Sequence, residues 1–321
     1  MKKKRCLICY EELQDSNLDY HPKCSKKFFG RELPPVFPHK LSEIQKLGKQ
    51  EINKNLAVTG VQKKLFLEIE RNDRQSRLTI LDKDYSEGYN LGEYILKPPT
   101  DEYLEMPETE DLTMHLAHIA GIATVPHCLI KMTSGELAYL TKRIDRQTER
   151  GKRIKIHIED MCQLSERLTE DKYKGSVEQV GKIIKAKCRG IDLINFYELV
   201  IFCFVTGNSD MHLKNFSLIH AANGILEMAP AYDLLATQLI NPADKEESAL
   251  TINGKKNKLK LQDFYTLAET LGIAPKARDN AVQRITKSSN AMSEFVDKVF
   301  ISAKLKKEYK ALIQERTQRL A

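Results

Sequence analysis

The chain has no run approaching the roughly 18 apolar residues that a bilayer-spanning helix needs, so no transmembrane segment is expected. Its opening, MKKKRCLICYEEL, is basic but has no adequate apolar stretch behind it, which argues against a secretory signal. No internal repeat and no low-complexity tract is present, which sets repeat architectures aside. Neither sign of charge dominates: 51 Lys and Arg stand against 44 Asp and Glu, a net charge of +7. The densest basic runs, MKKKR and KKNKLK at 255–260, are short and read as solvated faces. The excess suits an anionic partner without singling out nucleic acid. Of seven cysteines, Cys128, Cys162, Cys188 and Cys203 lie in apolar or helical contexts and read as small core residues. A soluble, cytoplasmic protein of a reducing compartment is the expectation.

What is present is enough to build a large core. The 321 residues are 41% hydrophobic and 30% charged. After the proline-rich ELPPVFPHK, the stretch VQKKLFLEIE (61–70) places apolar residues at Val61, Leu65, Leu67 and Ile69, an alternation that predicts a strand. SRLTILD and EYILK read as two more, forming an antiparallel meander. MPETEDLTMHLAHIAGI predicts a helix: Pro107 suits its first turn, Glu108, Glu110 and Asp111 suit the positive end of its dipole, and Gly121 suits its C-terminal cap. HCLIKM and LAYLTKR add two strands.

From about residue 150 the pattern turns helical, with helices expected at IEDMCQLSERL, SVEQVGKIIKAK, DLINFYELVIFCFV, LQDFYTLAETL and KKEYKALIQERTQRL. The predicted class is α+β, with a small antiparallel-sheet lobe holding one helix and a larger helical lobe. The expected divisions are an N-terminal segment 1–54, a sheet-rich lobe 55–146 and a helical lobe 147–321, with RIDRQTERGKR as the connection.

GNSDMHLKNFSLI (207–219) concentrates polar chemistry at the end of the most apolar segment. A buried helix ending in a polar loop is a rigid base for a precisely held group. NFSLIHAANGILEMAPAYD then reads as a hairpin turning at Asn223-Gly224, which brings Asn215 near Asp233. An amide oxygen and a carboxylate are hard ligands suited to Mg²⁺ beside phosphate oxygens. Asp210 projects from the same loop and can accept or position a hydroxyl proton, while Lys214 adds a cation for a transferred phosphoryl group. Asp-x4-Asn, a hairpin and a second Asp have the spacing of a protein-kinase catalytic apparatus. Asp and Asn are also common turn residues, so a plain loop and hairpin fits this stretch as well. The sheet-rich lobe favours the kinase reading: the third strand, EYILK, ends in Lys97, and the one helix carries Glu108 and Glu110, as a phosphate-reaching lysine and its orienting glutamate require.

With these residues in view, VTGVQKKLFL, YILKPP, PETEDLTMHLAHIAGI, TKRIDR, HIEDMCQ, GNSDMHLKNFSL and APAYDLL occur in an order that resembles the HipA-like serine/threonine kinases of bacterial toxin–antitoxin modules. The resemblance covers roughly residues 55–240. It implies a two-lobed protein-kinase-like fold that uses ATP and Mg²⁺. It implies Asp210 as catalytic aspartate, with Asn215 and Asp233 as metal ligands. Lys97 becomes the nucleotide-phosphate lysine paired with Glu110, and Lys64 a second nucleotide contact. The hinge falls at Lys142, Arg143 and Ile144, where backbone groups would meet adenine; the family often has Glu and Phe at the positions of Lys142 and Ile144. NLAVTGVQ stands where ordinary kinases have a Gly-rich loop and contains only Gly60. The family's autophosphorylated serine is replaced by Ala57, so Thr59 becomes the expected autophosphorylation site.

In length and layout the chain is most similar to the short HipT type, which implies a small HipS-like protein and a DNA-binding HipB-like antitoxin as partners. Contact with DNA would then be indirect, and no membrane is involved. The implied substrate is an aminoacyl-tRNA synthetase, by analogy tryptophanyl-tRNA synthetase, and the implied outcome is inhibited translation. Two other readings remain at this point: a catalytically silent module acting with a DNA-bound antitoxin, and a kinase for lipid or small-molecule hydroxyls.

Near the start, CLICYEELQDSNLDYHPKC offers Cys6, Cys9, His21 and Cys24. The pairs Cys-x2-Cys and His-x2-Cys can form a tetrahedral zinc site, although the second pair is not a standard finger signature. His212 reads as a loop-packing residue.

Overall fold

A computed structural model describes residues 4–52, 64–70, 75–81, 92–149, 152–221 and 224–321. Two compact units emerge: residues 1–111 with 125–143, and residues 112–124 with 144–321.

The first unit opens with a tight turn closed by two backbone bonds, Cys6 N–H to Glu11 O and Tyr10 N–H to Cys6 O. Helix α1 (Pro22–Phe29) begins with proline, whose missing N–H costs nothing there, and ends at Gly30 with φ 78°. Helix α2 (Leu41–Ile52) follows. The sheet comprises β1 (Leu65–Glu70), β2 (Arg77–Ile80), β3 (Tyr94–Lys97), β4 (His127–Lys131) and β5 (Leu137–Lys142), with helix α3 (Met106–Ile119) between β3 and β4. All five strands pair antiparallel in the order β2-β1-β3-β5-β4.

The expected meander needs correcting. β3 pairs with β1, Leu65 opposite Leu96, rather than with β2. Adjacency in sequence favours pairing but does not force it, and β1 accepts partners on both edges. Alternation along β3 puts Tyr94 and Leu96 on one face and Ile95 and Lys97 on the other.

The second unit starts with a hairpin of β6 (Arg146–Glu149) and β7 (Lys152–Lys155), where the sequence suggested only a connection. Next comes β8 (Ile158–Asp160), then the short helix α4 (Met161–Leu164). The single helix expected over IEDMCQLSERL is therefore incorrect. Asp160 is an N-cap, accepting from Gln163 N–H while the Gln163 amide oxygen accepts from Asp160 N–H, so the helix cannot begin before it. Ile158–Asp160 instead pairs with β9 (Ser217–His220), which pairs with β10 (Leu226–Met228). Asn223 lies outside the described residues.

Helices α5 (Val177–Lys187), α6 (Gly190–Thr206), α8 (Leu261–Leu271) and α10 (Ala303–Gln318) match the predicted segments, and a short α7 (Thr237–Ile240) precedes α8. Helix α9 (Pro275–Val296) was not expected. Its sequence is polar, and only Ala281, Val282, Ile285, Met292 and Val296 are buried. That stripe and the leading proline are its only sequence signals.

Helix α6 packs against α5, α9 and α10, and is buried without interruption from Phe196 to Thr206. The one carboxylate of that run, Glu198, meets Arg284 at 3.0 Å, as a buried charge requires.

Candidate functional site

In the first unit, Lys97 ends β3 and is only 4% exposed, and Glu110 in α3 is fully buried. Their side chains meet at 2.5 Å. The lysine also lies 5.5 Å from the Tyr139 ring centroid. A buried lysine keeps its charge only when a partner offsets the lost hydration, and Glu110 supplies that partner. The other helix glutamate, Glu108, is half-buried, and burial above all pushes its pKa up to about 7.

Lys64 stands exposed just ahead of β1. Lys142 ends β5, and its ammonium lies 5.5 Å from the Phe28 ring and 5.7 Å from the Tyr94 ring, with burial lowering its pKa. The Lys142 N–H is taken by Pro126 O and the Arg143 N–H by Glu93 O, so neither amide is open to a base. Ile144 is half-buried and is the first residue of the second unit after β5. Thr59, with its neighbours Ala57 and Gly60, lies outside the described residues.

In the second unit, α6 ends at Gly207 with φ 69°, which favours glycine, and a Cβ there would stand 2.5 Å from Leu312 Cδ2 and oblige that side chain to shift. The chain then turns through a polar loop tied down at each step. Ser209 bonds the Thr237 hydroxyl through both its N–H and its own hydroxyl, and Asp210 N–H donates to Asn208 Oδ1. Asp210 accepts from the Tyr173 hydroxyl at 2.9 Å. Burial raises the Asp210 pKa, the Tyr173 bond and the Lys172 charge oppose that, and the charges of Asp233 and Asp244 add to it.

Asn215 closes a one-turn 3₁₀ helix and donates its amide to the Asp210 carbonyl at 3.0 Å. That bond uses the amide's donor end and leaves Oδ1 as its ligating atom. The returning hairpin is locked to this loop because the Tyr232 hydroxyl donates to Lys214 O at 2.9 Å and sits 2.5 Å from Ser217 Oγ. Asp233 follows at φ 59°, a left-handed conformation that a non-glycine residue holds only under constraint. Asn215 Oδ1 and the Asp233 carboxylate are the hard oxygen donors that Mg²⁺ prefers.

Two residues were missed as site members. Asp160 receives Lys214 Nζ at 2.6 Å, so that ammonium is held by a carboxylate of β8. Tyr173 holds Asp210 and packs edge-on against His212, ring centroids 5.1 Å apart. The capping pattern at Asp160 was readable in sequence; nothing marked Tyr173.

The HipA-like C-terminal domain model matches residues 56–294. Among curated proteins, Y4dM of Sinorhizobium fredii, provisionally named a kinase, is 33% identical over 158 residues, 46% of this chain and 38% of Y4dM. The serine/threonine-protein kinase toxin HipA of Shewanella oneidensis is 24% identical over 266 residues, 77% of this chain and 58% of that protein. The chain thus spans roughly two fifths to three fifths of the length of these two relatives. The Shewanella oneidensis MR-1 HipA, solved with HipB and operator DNA, superposes with a TM-score of 0.69 at 22% identity, covering 88% of this chain and 71% of that one. The proinflammatory kinase CtkA of Helicobacter pylori gives a TM-score of 0.53 at 17% identity, over 79% of this chain and 93% of CtkA. The fold is therefore the α+β, protein-kinase-like fold of these neighbours, and the chain belongs to the HipA-like C-terminal domain family.

Proposed function

We propose that the chain is an ATP- and Mg²⁺-dependent serine/threonine protein kinase and the toxin component of a toxin–antitoxin system. The observation that carries this reading is the loop closing α6, where half-buried Asp210 meets a neutral hydroxyl with Asn215 and the Asp233 hairpin bound to the same few residues. Asp210 has the role of orienting the acceptor hydroxyl and taking its proton; a raised pKa suits that task. Asn215 and Asp233 would hold the divalent cation, which supplies neutralisation of phosphate charge. Lys214, set in place by Asp160, offers a positive charge to the phosphoryl group. Lys97, kept charged by Glu110, serves the nucleotide phosphates. Lys64, Lys142 and Ile144 are the remaining nucleotide contacts, with Lys142 restricted to its side chain and carbonyl.

By resemblance to the family, the protein substrate is an aminoacyl-tRNA synthetase, Thr59 is the autophosphorylation site, and the partners are a HipB-like antitoxin and a HipS-like small protein. The solved neighbour in complex with HipB and operator DNA supports the antitoxin assignment. The test is transfer of labelled phosphate from ATP with Mg²⁺ in a cell extract, comparing wild type with Asp210→Ala. One or a few labelled proteins, absent with the variant, are expected; labelling that persists in Asp210→Ala removes the assignment. Peptide mapping of the autophosphorylated chain should find label on Thr59, and label confined to other residues rules that site out.

A further inference from the structure

The N-terminal turn carries a site that lies outside the matched family domain, which begins at residue 56. Cys6, Cys9, His21 and Cys24 bring four ligand atoms within 4.8 Å of one another. Cys9 Sγ lies 3.4 Å and Cys24 Sγ 3.9 Å from His21 Nδ1. With Zn–S near 2.3 Å and Zn–N near 2.05 Å, a tetrahedron has S···N edges of about 3.6 Å and S···S edges of about 3.8 Å. The two S···N distances bracket that edge, and every other pair lies within 4.8 Å, about 1 Å of contraction from the tetrahedron at most.

The histidine is turned for the purpose. Its Nε2 lies 3.1 Å from the Glu12 carbonyl, which can only accept, so Nε2 carries the proton and the Nδ1 lone pair faces the sulfurs. Cys6 Sγ accepts from the His21 backbone N–H at 3.4 Å, a contact that suits a thiolate. Three sulfurs and an imidazole are a ligand set for zinc rather than for magnesium or calcium.

The residues between these ligands show what the ion would hold. Tyr10 follows Cys9 at φ 60°, a strained conformation for a large side chain. Its buried hydroxyl donates to Asp111 Oδ2 at 2.5 Å, and His127 Nδ1 meets Asp111 Oδ1 at 2.7 Å. Asp111 is the residue after Glu110. Leu7, inside the Cys6–Cys9 turn, accepts the Leu129 N–H through its carbonyl, and the hydroxyl of Tyr20, next to His21, donates to Leu129 O. Leu129 belongs to β4, an edge strand, so the turn satisfies backbone groups that an edge would otherwise expose.

We propose that Cys6, Cys9, His21 and Cys24 bind one structural Zn²⁺, and that this ion sets the turn that supports the start of α3 through Tyr10 and covers the β4 edge. Binding to thiols releases their protons to solvent as the Zn–S bonds form, with no change of oxidation state. The inference does not depend on the kinase reading, because none of its readouts uses ATP.

The test takes the full chain purified under reducing conditions without chelator. Elemental analysis should find about one zinc per chain and no stoichiometric iron. Cobalt substituted for zinc should give the visible absorption of tetrahedral thiolate-bound Co²⁺. Cys9→Ser and Cys24→Ser should lose the metal; if they fail to fold, stripped wild type titrated with Zn²⁺ against a chromogenic chelator gives the same answer. Hydrogen exchange over 106–111 and at Leu129 should be at least about tenfold faster in the stripped protein than in the zinc-loaded one. A zinc-free isolate that takes up none, stoichiometric iron, or a disulfide joining two of Cys6, Cys9 and Cys24 in freshly alkylated protein overturns the site. Uptake of zinc with unchanged exchange at both places overturns its supporting role.

Discussion

Lys97 is a charged side chain withdrawn from water and Asp210 one half withdrawn, and the two units stabilise them differently. Lys97 faces an equal and opposite charge, Glu110, at 2.5 Å. Asp210 receives a neutral hydroxyl from Tyr173 and feels the Lys172 charge, while Asp233 and Asp244 add charge of its own sign. The first arrangement stores a cation in readiness. The second accumulates negative potential, which a divalent ion would relieve. A structural role explains the Lys97 pair adequately by itself; an acidic group after α6 whose pKa stays raised despite Tyr173 and Lys172 is harder to explain without chemistry.

The comparison breaks first at Asp210. Asp210→Ala should lower phosphate transfer at least about 10³-fold, while the thermal unfolding midpoint stays near wild type, since the fold disfavours the charge of this half-buried carboxylate. Unfolding of the variant at ordinary temperature would make Asp210 a structural residue instead.

The next largest effect belongs to the ion pair. Lys97→Met leaves Glu110 buried with its charge, and urea denaturation should report a loss of about 3–5 kcal/mol. Adding Glu110→Leu should recover most of that stability without restoring activity. A double variant as unstable as the single would show that the stranded Glu110 charge is not the source of the loss.

Glu108 sharpens the contrast within the same helix. Its pKa of about 7, raised mainly by burial from an ordinary 4.5, means that the folded chain holds a proton the unfolded chain has lost. Stability should therefore fall as pH rises between those values. Glu108→Gln should be stabilising by about 1–2 kcal/mol at pH 8 and nearly neutral at pH 4, measured by chemical denaturation.

The smallest effect is at Tyr173. Tyr173→Phe removes a bond that favours the Asp210 carboxylate, so the Asp210 pKa should rise further. The acid limb of the pH–activity profile should move to higher pH, with a stability loss of about 0.5–1.5 kcal/mol. An unmoved acid limb would detach Tyr173 from the site.

Legibility in the sequence followed the range of the interactions involved. β1, β3, β4 and β5 have alternating or apolar patterns between turn residues, and α3 and α6 have periodic stripes and caps, so each was readable within its own few residues. β8 is three residues long and exists through its pairing with β9, some sixty positions away. Helix α9 carries only a thin buried stripe in a polar sequence. For the candidate site, Asp210, Asn215 and Asp233 lie close together in sequence and were singled out as a group. Tyr173 is 37 positions from Asp210 and Asp160 is 54 from Lys214, and no local pattern joins either pair.

The sequence by itself determined the α+β class, strands β1 to β5, helices α3, α5, α6, α8 and α10, the polar loop after the apolar helix, and the four candidate zinc-ligating side chains at the start. Periodicity, caps and short spacings act over a few residues and leave their mark in the order of residues. Only the tertiary structure decided that β3 joins β1, that Asp160 holds Lys214, and that Tyr10 reaches Asp111. Such choices depend on which surfaces meet once the chain has folded, because hydrogen bonds and ion pairs are decided by distance in space, not along the chain.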